Sequence, residues 1–380
     1  MKHSRLPTCY HGGAFFHAIG PEFNHLERRH RIIAADVLDA WFPPSPKVIA
    51  ALTEDLPWVL RTSPPTHCEG MAHVIARARG VEPEHILPGA GSSDLIFLAF
   101  RQWLKPASRV LILDPTYGEY AHVLEKVIGC RVDRLVLSRF EDYRVDLGEL
   151  EEKLHRRYDL VVLVNPNSPT GQHIPRAELE SLLRNTPPAT RVWLDETYIE
   201  YAGQNQSLER IAARSENIVI CKSMSKVYAL SGVRAAYLCG PENILARLQS
   251  ITPPWAVSLP AQMAAVAALQ DPGYYAARYS ETHALRTEFA SELQLFEGWE
   301  ILPGIANFVL CHLPQEGLSA AALVTECRRH NLFLRDANAM GSTFGGWAVR
   351  IAVKEAETNG QMLDILKQVA RRNVPELQLR

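Results

Sequence analysis

The sequence has 380 residues, 47% hydrophobic and 22% charged, an ordinary mix for a globular chain and too apolar for a disordered or fibrous one. Forty Lys and Arg stand against 42 Asp and Glu, a formal net charge of −2, so no broad field favours nucleic acid or an anionic membrane. Any anionic ligand must be held by a few local cations. Seven scattered cysteines with no CxxC pair argue against a disulfide framework or a zinc site, no metal is expected, and a cytoplasmic location fits. The stretch 1–20 lacks the apolar core of a signal peptide. No run of 18 apolar residues is free of charge, so no membrane span is expected.

In chain order, residues 1–45 read as an N-terminal arm that packs on a smaller domain or on a partner subunit. A helical pattern at 94–104 is followed by an apolar run at 109–114. Further helical patterns cover 117–128, 145–157 and 176–184, and further apolar runs cover 160–164, 191–195, 217–222 and 235–239. Near-continuous apolar runs suit strands buried on both faces. Their alternation with helices predicts an α/β fold with a mainly parallel, doubly wound sheet in a large domain, 46–265. After that the pattern changes. A long charged helix at 273–296, strand-like runs at 299–302, 306–312, 332–335 and 347–353, and a last helix at 355–372 predict a smaller α+β domain, 266–380.

Polar residues cluster directly after the apolar runs, where open parallel sheets bind ligands. The densest stretch is Cys221 to Arg234. Lys226 there has the amine to form an imine with an aldehyde, provided burial or neighbouring charge keeps it neutral often enough to react. Ser223, Ser225 and Arg234 suit a dianionic phosphate, with two hydroxyls and a planar cation. Gly89-Ala90-Gly91-Ser92-Ser93-Asp94 is a glycine-containing turn opening a helix, whose free N–H groups also suit phosphate. Asp195 follows a buried strand, and Arg350 lies in one.

These stretches, in this order, resemble the fold-type I pyridoxal-5′-phosphate (PLP) enzymes, class I/II aminotransferases, closest to the histidinol-phosphate aminotransferase and threonine-phosphate decarboxylase branch. Ser225-Lys226-Val-Tyr-Ala-Leu230-Ser-Gly232-Val-Arg234 matches the family's lysine signature. The resemblance spans about residues 40–370. It implies that Lys226 carries PLP as a Schiff base and that Gly91, Ser92, Ser93, Ser223, Ser225 and Arg234 hold its phosphate. Asp114-Pro-Thr-Tyr117 resembles the turn whose tyrosine lies against the pyridine ring. Asp195-Glu-Thr-Tyr198 matches the pair in which the aspartate meets the ring nitrogen and keeps the ring an electron sink, and the tyrosine meets the phenolic oxygen. In Asn165-Pro-Asn-Ser168-Pro-Thr-Gly171, Ser168 stands where the family has an asparagine bonded to that same oxygen.

Arg350 is implied as the bidentate clamp on the substrate carboxylate. Arg335 matches a second arginine of the branch, for the distal group or the carboxylate. His11-Gly12-Gly13 resembles the H-G-G of threonine-phosphate decarboxylases, where two glycines let backbone N–H groups approach a substrate tail. Arg61-Thr62-Ser63-Pro64-Pro65 lacks the tyrosine that the branch extends to the partner's cofactor. The resemblance thus implies a homodimeric aminotransferase moving the amino group of an amino acid, or of a substrate derived from one, to a keto acid. A decarboxylase, lyase or cyclase on the same fold is the alternative, because the same cofactor serves whichever Cα bond stands perpendicular to its ring.

Overall fold

The computed structural model describes residues 12–372. A seven-stranded sheet forms its centre: β1 Ile86–Gly89, β2 Arg109–Asp114, β3 Arg131–Val136, β4 Leu160–Val164, β5 Arg191–Asp195, β6 Ile218–Ser223 and β7 Ala236–Cys239. Its spatial order is β1-β7-β6-β5-β4-β2-β3. The pairs from β3 through β6 are parallel, whereas β7 runs antiparallel to both β6 and β1. Alternate residues feed two separate cores, Leu111 and Leu113 on one face and Val110 and Ile112 on the other. A strand enclosed on both faces has no side for polar residues, and β4 accordingly reads Leu-Val-Val-Leu-Val, buried throughout.

A second, antiparallel sheet is formed by β8 Glu300–Leu302, β9 Phe308–His312, β10 Arg335–Asp336 and β11 Ala348–Ala352, in the order β10-β11-β9-β8. The run expected at 332–335 is two pieces. Leu332–Phe333 pairs in parallel with Ile33–Ala34 of the arm, while Arg335 begins β10 opposite Arg350. The described part of the arm therefore enters the C-terminal half through main-chain pairing. The pattern at 117–128 is helical in two parts, Gly118–Ala121 and a wider-wound His122–Ile128 ending at Gly129.

The helix α1 Ser92–Trp103 opens at the site, and α2 Pro272–Leu293 reaches the segment after Lys226 through Tyr279, whose hydroxyl donates to the Val227 carbonyl at 2.8 Å. Gly91 precedes α1 with φ 101°, a backbone that favours glycine. A Cβ there would also lie 2.2 Å from Arg234 Nη2. The two sheets are stitched directly. Ser342 donates from its N–H and its Oγ to Asp114 at 2.8 and 2.6 Å, and Ile305 N–H to the Gly171 carbonyl at 2.9 Å. Among the described residues no helix is long and apolar enough to cross a membrane, no His/Cys/Asp/Glu group is arranged for a metal, and the six described cysteines are free.

Candidate active site

The carboxyl ends of β4, β5 and β6 and the N-terminus of α1 open onto one cavity of about 290 Å³. Its walls include Ser92, Ser93, Tyr117, Ser168, Asp195, Tyr198, Ser223, Ser225, Lys226, Arg234 and Arg350. Eleven of the residues singled out in the sequence, drawn from six separate stretches of chain, thus converge on a single space. Val37 and Leu38 close one side.

Two lysines end the β6 segment, and they take opposite environments. Lys222 is 2% exposed, with its amine 2.8 Å from Glu200 and 3.9 Å from Glu196. Lys226 lines the cavity instead, and its amine donates to Asp39 Oδ1 at 2.7 Å. Burial lowers the Lys226 pKa, and Asp39 restores only part of it. At the floor, Asp195 is almost wholly buried. Its Oδ1 accepts from the Thr197 N–H and hydroxyl at 2.9 and 2.6 Å, and its Oδ2 from the Tyr120 hydroxyl at 2.7 Å. The Tyr120 oxygen in turn accepts from Trp193 Nε1 at 2.9 Å. Burial raises the Asp195 pKa despite these donors, and the nearby Glu119 adds to the rise. A buried carboxyl in this state gains most from a cationic N–H partner.

The first N–H groups of α1 have no side-chain cap, so they and the helix dipole face the cavity. The Ser93 hydroxyl donates to Glu119 at 2.8 Å, as does the Tyr117 hydroxyl. Arg234, itself at φ 62°, reaches back to Ser225 Oγ at 3.4 Å. Arg350 rises from β11. Its Nη1 donates to Ser168 Oγ at 2.9 Å and its Nη2 to the Asp36 carbonyl at 3.2 Å, while its guanidinium lies 5.6 Å from the Phe308 ring centre. Burial pushes its pKa down to about 10, which still leaves it charged at neutral pH.

The remaining described residues from the sequence lie outside this wall. Arg335 is buried directly across the ladder from Arg350. Gly13 donates its N–H to Asp36 Oδ2 at 2.9 Å, so that donor is engaged within the chain. A Cβ on Gly12 would meet Val37 at 2.8 Å. His11 lies outside the described residues. Asp39, Glu119 and Tyr120 were not singled out in the sequence. They lie outside the recognisable stretches or between their marked positions.

A family model described as aminotransferase class I and II matches residues 39–367. The chain belongs to that family. A histidinol-phosphate aminotransferase from Roseiflexus castenholzii is 30% identical over 345 residues, 90% of each chain. Among solved structures, histidinol-phosphate aminotransferase from Sinorhizobium meliloti in complex with pyridoxal-5′-phosphate superposes with a TM-score of 0.82. It is 22% identical and covers 97% of this chain and 96% of its own. L-threonine-O-3-phosphate decarboxylase from Porphyromonas gingivalis superposes with a TM-score of 0.75 at 23% identity, covering 90% and 100%. This aminotransferase is a PLP enzyme, and the cavity fits that group. The space against Arg234 that a Cβ on residue 91 would fill is kept open, uncapped helix amides face it, and a buried carboxyl lies at its floor.

Proposed function

We propose that this aminotransferase moves the amino group of a carboxylate- or phosphate-bearing amino-acid derivative to a keto acid, with Lys226 as the lysine that carries the cofactor. The observation that carries the reading is the placement of Lys226, Asp195 and Arg350 on one cavity. Lys222 is withdrawn from that role by its buried pairing with Glu200. The similarity to a histidinol-phosphate aminotransferase supports a phosphate-bearing substrate. Two buried arginines in register, Arg350 and Arg335, suit a substrate with anionic ends.

Ser92, Ser93, Ser223, Ser225, Arg234 and the α1 amides would hold the phosphate, Asp195 the ring nitrogen, Tyr198 and Ser168 the phenolic oxygen, and Tyr117 the ring face. When bound, PLP supplies an electron sink for the pair released at the substrate α-carbon. Asp195 keeps a positive charge on the ring nitrogen by offering a buried, pre-oriented carboxylate. Arg350 grips the substrate carboxylate through the planar fork. Lys226 takes the α-proton on its neutral amine and delivers it again on the same face, which its burial favours by disfavouring the ammonium. Val37 and Leu38 keep water from that proton.

A homodimer in the cytoplasm completes the reading. Leu56 and Leu60, on one side of the short helix Leu56–Arg61, and Trp58 are exposed apolar side chains beside Thr62-Ser63, of a kind suited to contact with a second copy.

Borohydride reduction of the PLP-loaded protein followed by peptide mapping should place the cofactor's mass on Lys226. Incubation with an amino donor and no acceptor should yield about one keto acid per active site. Label on any other lysine would overturn the site assignment. Release of CO₂ in place of keto acid would favour the decarboxylase reading, which the Porphyromonas gingivalis superposition keeps in view.

A further inference from the structure

Asp39 touches the amine of Lys226, and no role above uses it. Its Oδ1 accepts from Lys226 Nζ at 2.7 Å and from Ser231 Oγ at 2.6 Å. That hydroxyl also lies 3.1 Å from the carbonyl oxygen of Ser225, the neighbour of Lys226. The carboxylate is therefore latched to the loop that bears the lysine. Its own segment is fixed from the other side. Arg350 Nη2 donates to the Asp36 carbonyl at 3.2 Å, Ala352 N–H to the Ala35 carbonyl at 3.1 Å, and Asn307 Nδ2 to the Leu38 carbonyl at 3.0 Å. Residues 35–39 thus form a strap that runs from the Arg350 strand to Lys226.

The charges around this contact are mostly positive. Lys226 faces Arg350 and Arg234 as well as Asp39, and Asp39 also faces Lys354 and Tyr198. A buried amine among cations loses its proton easily unless a carboxylate holds it. We propose that Asp39 is a positioning residue for Lys226, keeping its amine protonated and in place in the cofactor-free protein. This rests on Lys226 being the cofactor lysine. The amine must shed that proton to attack an aldehyde, so Asp39 sets how readily the lysine is loaded.

The test reads the lysine itself, without turnover. Apo-protein is labelled across pH with isotopic acetic anhydride, and the Lys226 peptide is quantified by mass spectrometry. A fifth of the Lys226 side chain is accessible, enough for a small reagent. In Asp39→Asn, labelling of Lys226 at pH 7.5 should rise roughly tenfold over wild type, since an opposite charge in contact holds an amine's proton by about that factor or more. Asp39→Glu should return it toward wild type. Ser231→Ala, which keeps the carboxylate but removes its latch, should give a smaller rise and serves if Asp39→Asn does not fold. Labelling within twofold of wild type in both Asp39→Asn and Ser231→Ala would overturn the proposal. Failure of added PLP to protect wild-type Lys226 would refute the lysine assignment and leave the Asp39 contact untouched.

Discussion

Arg350 Nη1 donates to Ser168 Oγ across 2.9 Å, so the proposed carboxylate clamp and the serine that replaces the family's asparagine act as one unit. A hydroxyl can accept from the guanidinium and still donate its single proton elsewhere. Ser168 can therefore orient Arg350 and meet a cofactor oxygen at the same time.

Removing that hydroxyl loosens the clamp without removing its charge. A hydrogen bond to a charged group contributes about 1.5–3 kcal/mol, part of which a water can replace in Ser168→Ala. The expected loss in kcat/KM is roughly 5- to 30-fold, carried mainly by KM. Steady-state kinetics with the amino donor varied would check it, and an unchanged KM would separate Ser168 from carboxylate binding.

Asp195→Asn keeps the shape of the floor and removes its charge. The amide oxygen can still accept from Tyr120 or from Thr197, so the fold should survive. What is lost is the anion proposed to face the ring nitrogen. We expect kcat to fall at least about 100-fold, or about 2.7 kcal/mol in the barrier, with cofactor still retained. Stopped-flow single turnovers on the loaded variant measure this directly, and a loss below tenfold would contradict the assigned role.

Gly91 meets two demands, the positive φ of 101° and the approach of Arg234 Nη2 to 2.2 Å from where a Cβ would be. Alanine must strain the backbone, at about 1–3 kcal/mol, and displace the arginine. Gly91→Ala should therefore lower both the melting temperature and the affinity for PLP. Titration of apo-protein with PLP, followed by absorbance, separates the two effects. Wild-type cofactor affinity would show that Arg234 does not serve the phosphate.

What the sequence makes legible follows from how each element meets its surroundings. β2, β4, β5 and β6 are enclosed on both faces, and burial leaves their apolar runs unmistakable. β3 is not legible because it is the edge strand, Arg-Val-Asp-Arg-Leu-Val, with only Leu135 fully buried. β1 is not legible because it has four residues, two of them Pro88 and Gly89, which read as a turn. β7 has the same apolar character as the parallel strands of the sheet, and nothing local reveals that its own pairing with β6 and β1 is antiparallel. Among site residues, Lys226 and Asp195 belong to dense local stretches. Asp39 instead meets Lys226 across 187 positions of chain, and Tyr120 is an ordinary helix tyrosine until Asp195 folds against it. Such partners are made by topology, so no short window contains them.

His312 offers a pH test of how the two sheets are joined. It lies in β9, 1% exposed, with Nε2 2.9 Å from the Tyr143 hydroxyl and its ring stacked on that tyrosine. Burial pushes its pKa down to about 4, with Arg139 adding to the fall. A histidine depressed in the folded state binds fewer protons there than in the unfolded chain, where about 6.5 applies. Its contribution is therefore complete above about pH 6.5 and is lost as pH falls toward 4. At pH 5.5 the loss amounts to about 1.4 kcal/mol. Urea midpoints should drop between pH 7.5 and 4.5 in the wild type and drop less in His312→Gln, which keeps a partner for Tyr143 but cannot charge. Equal drops in both proteins would show that His312 is not what the acid attacks.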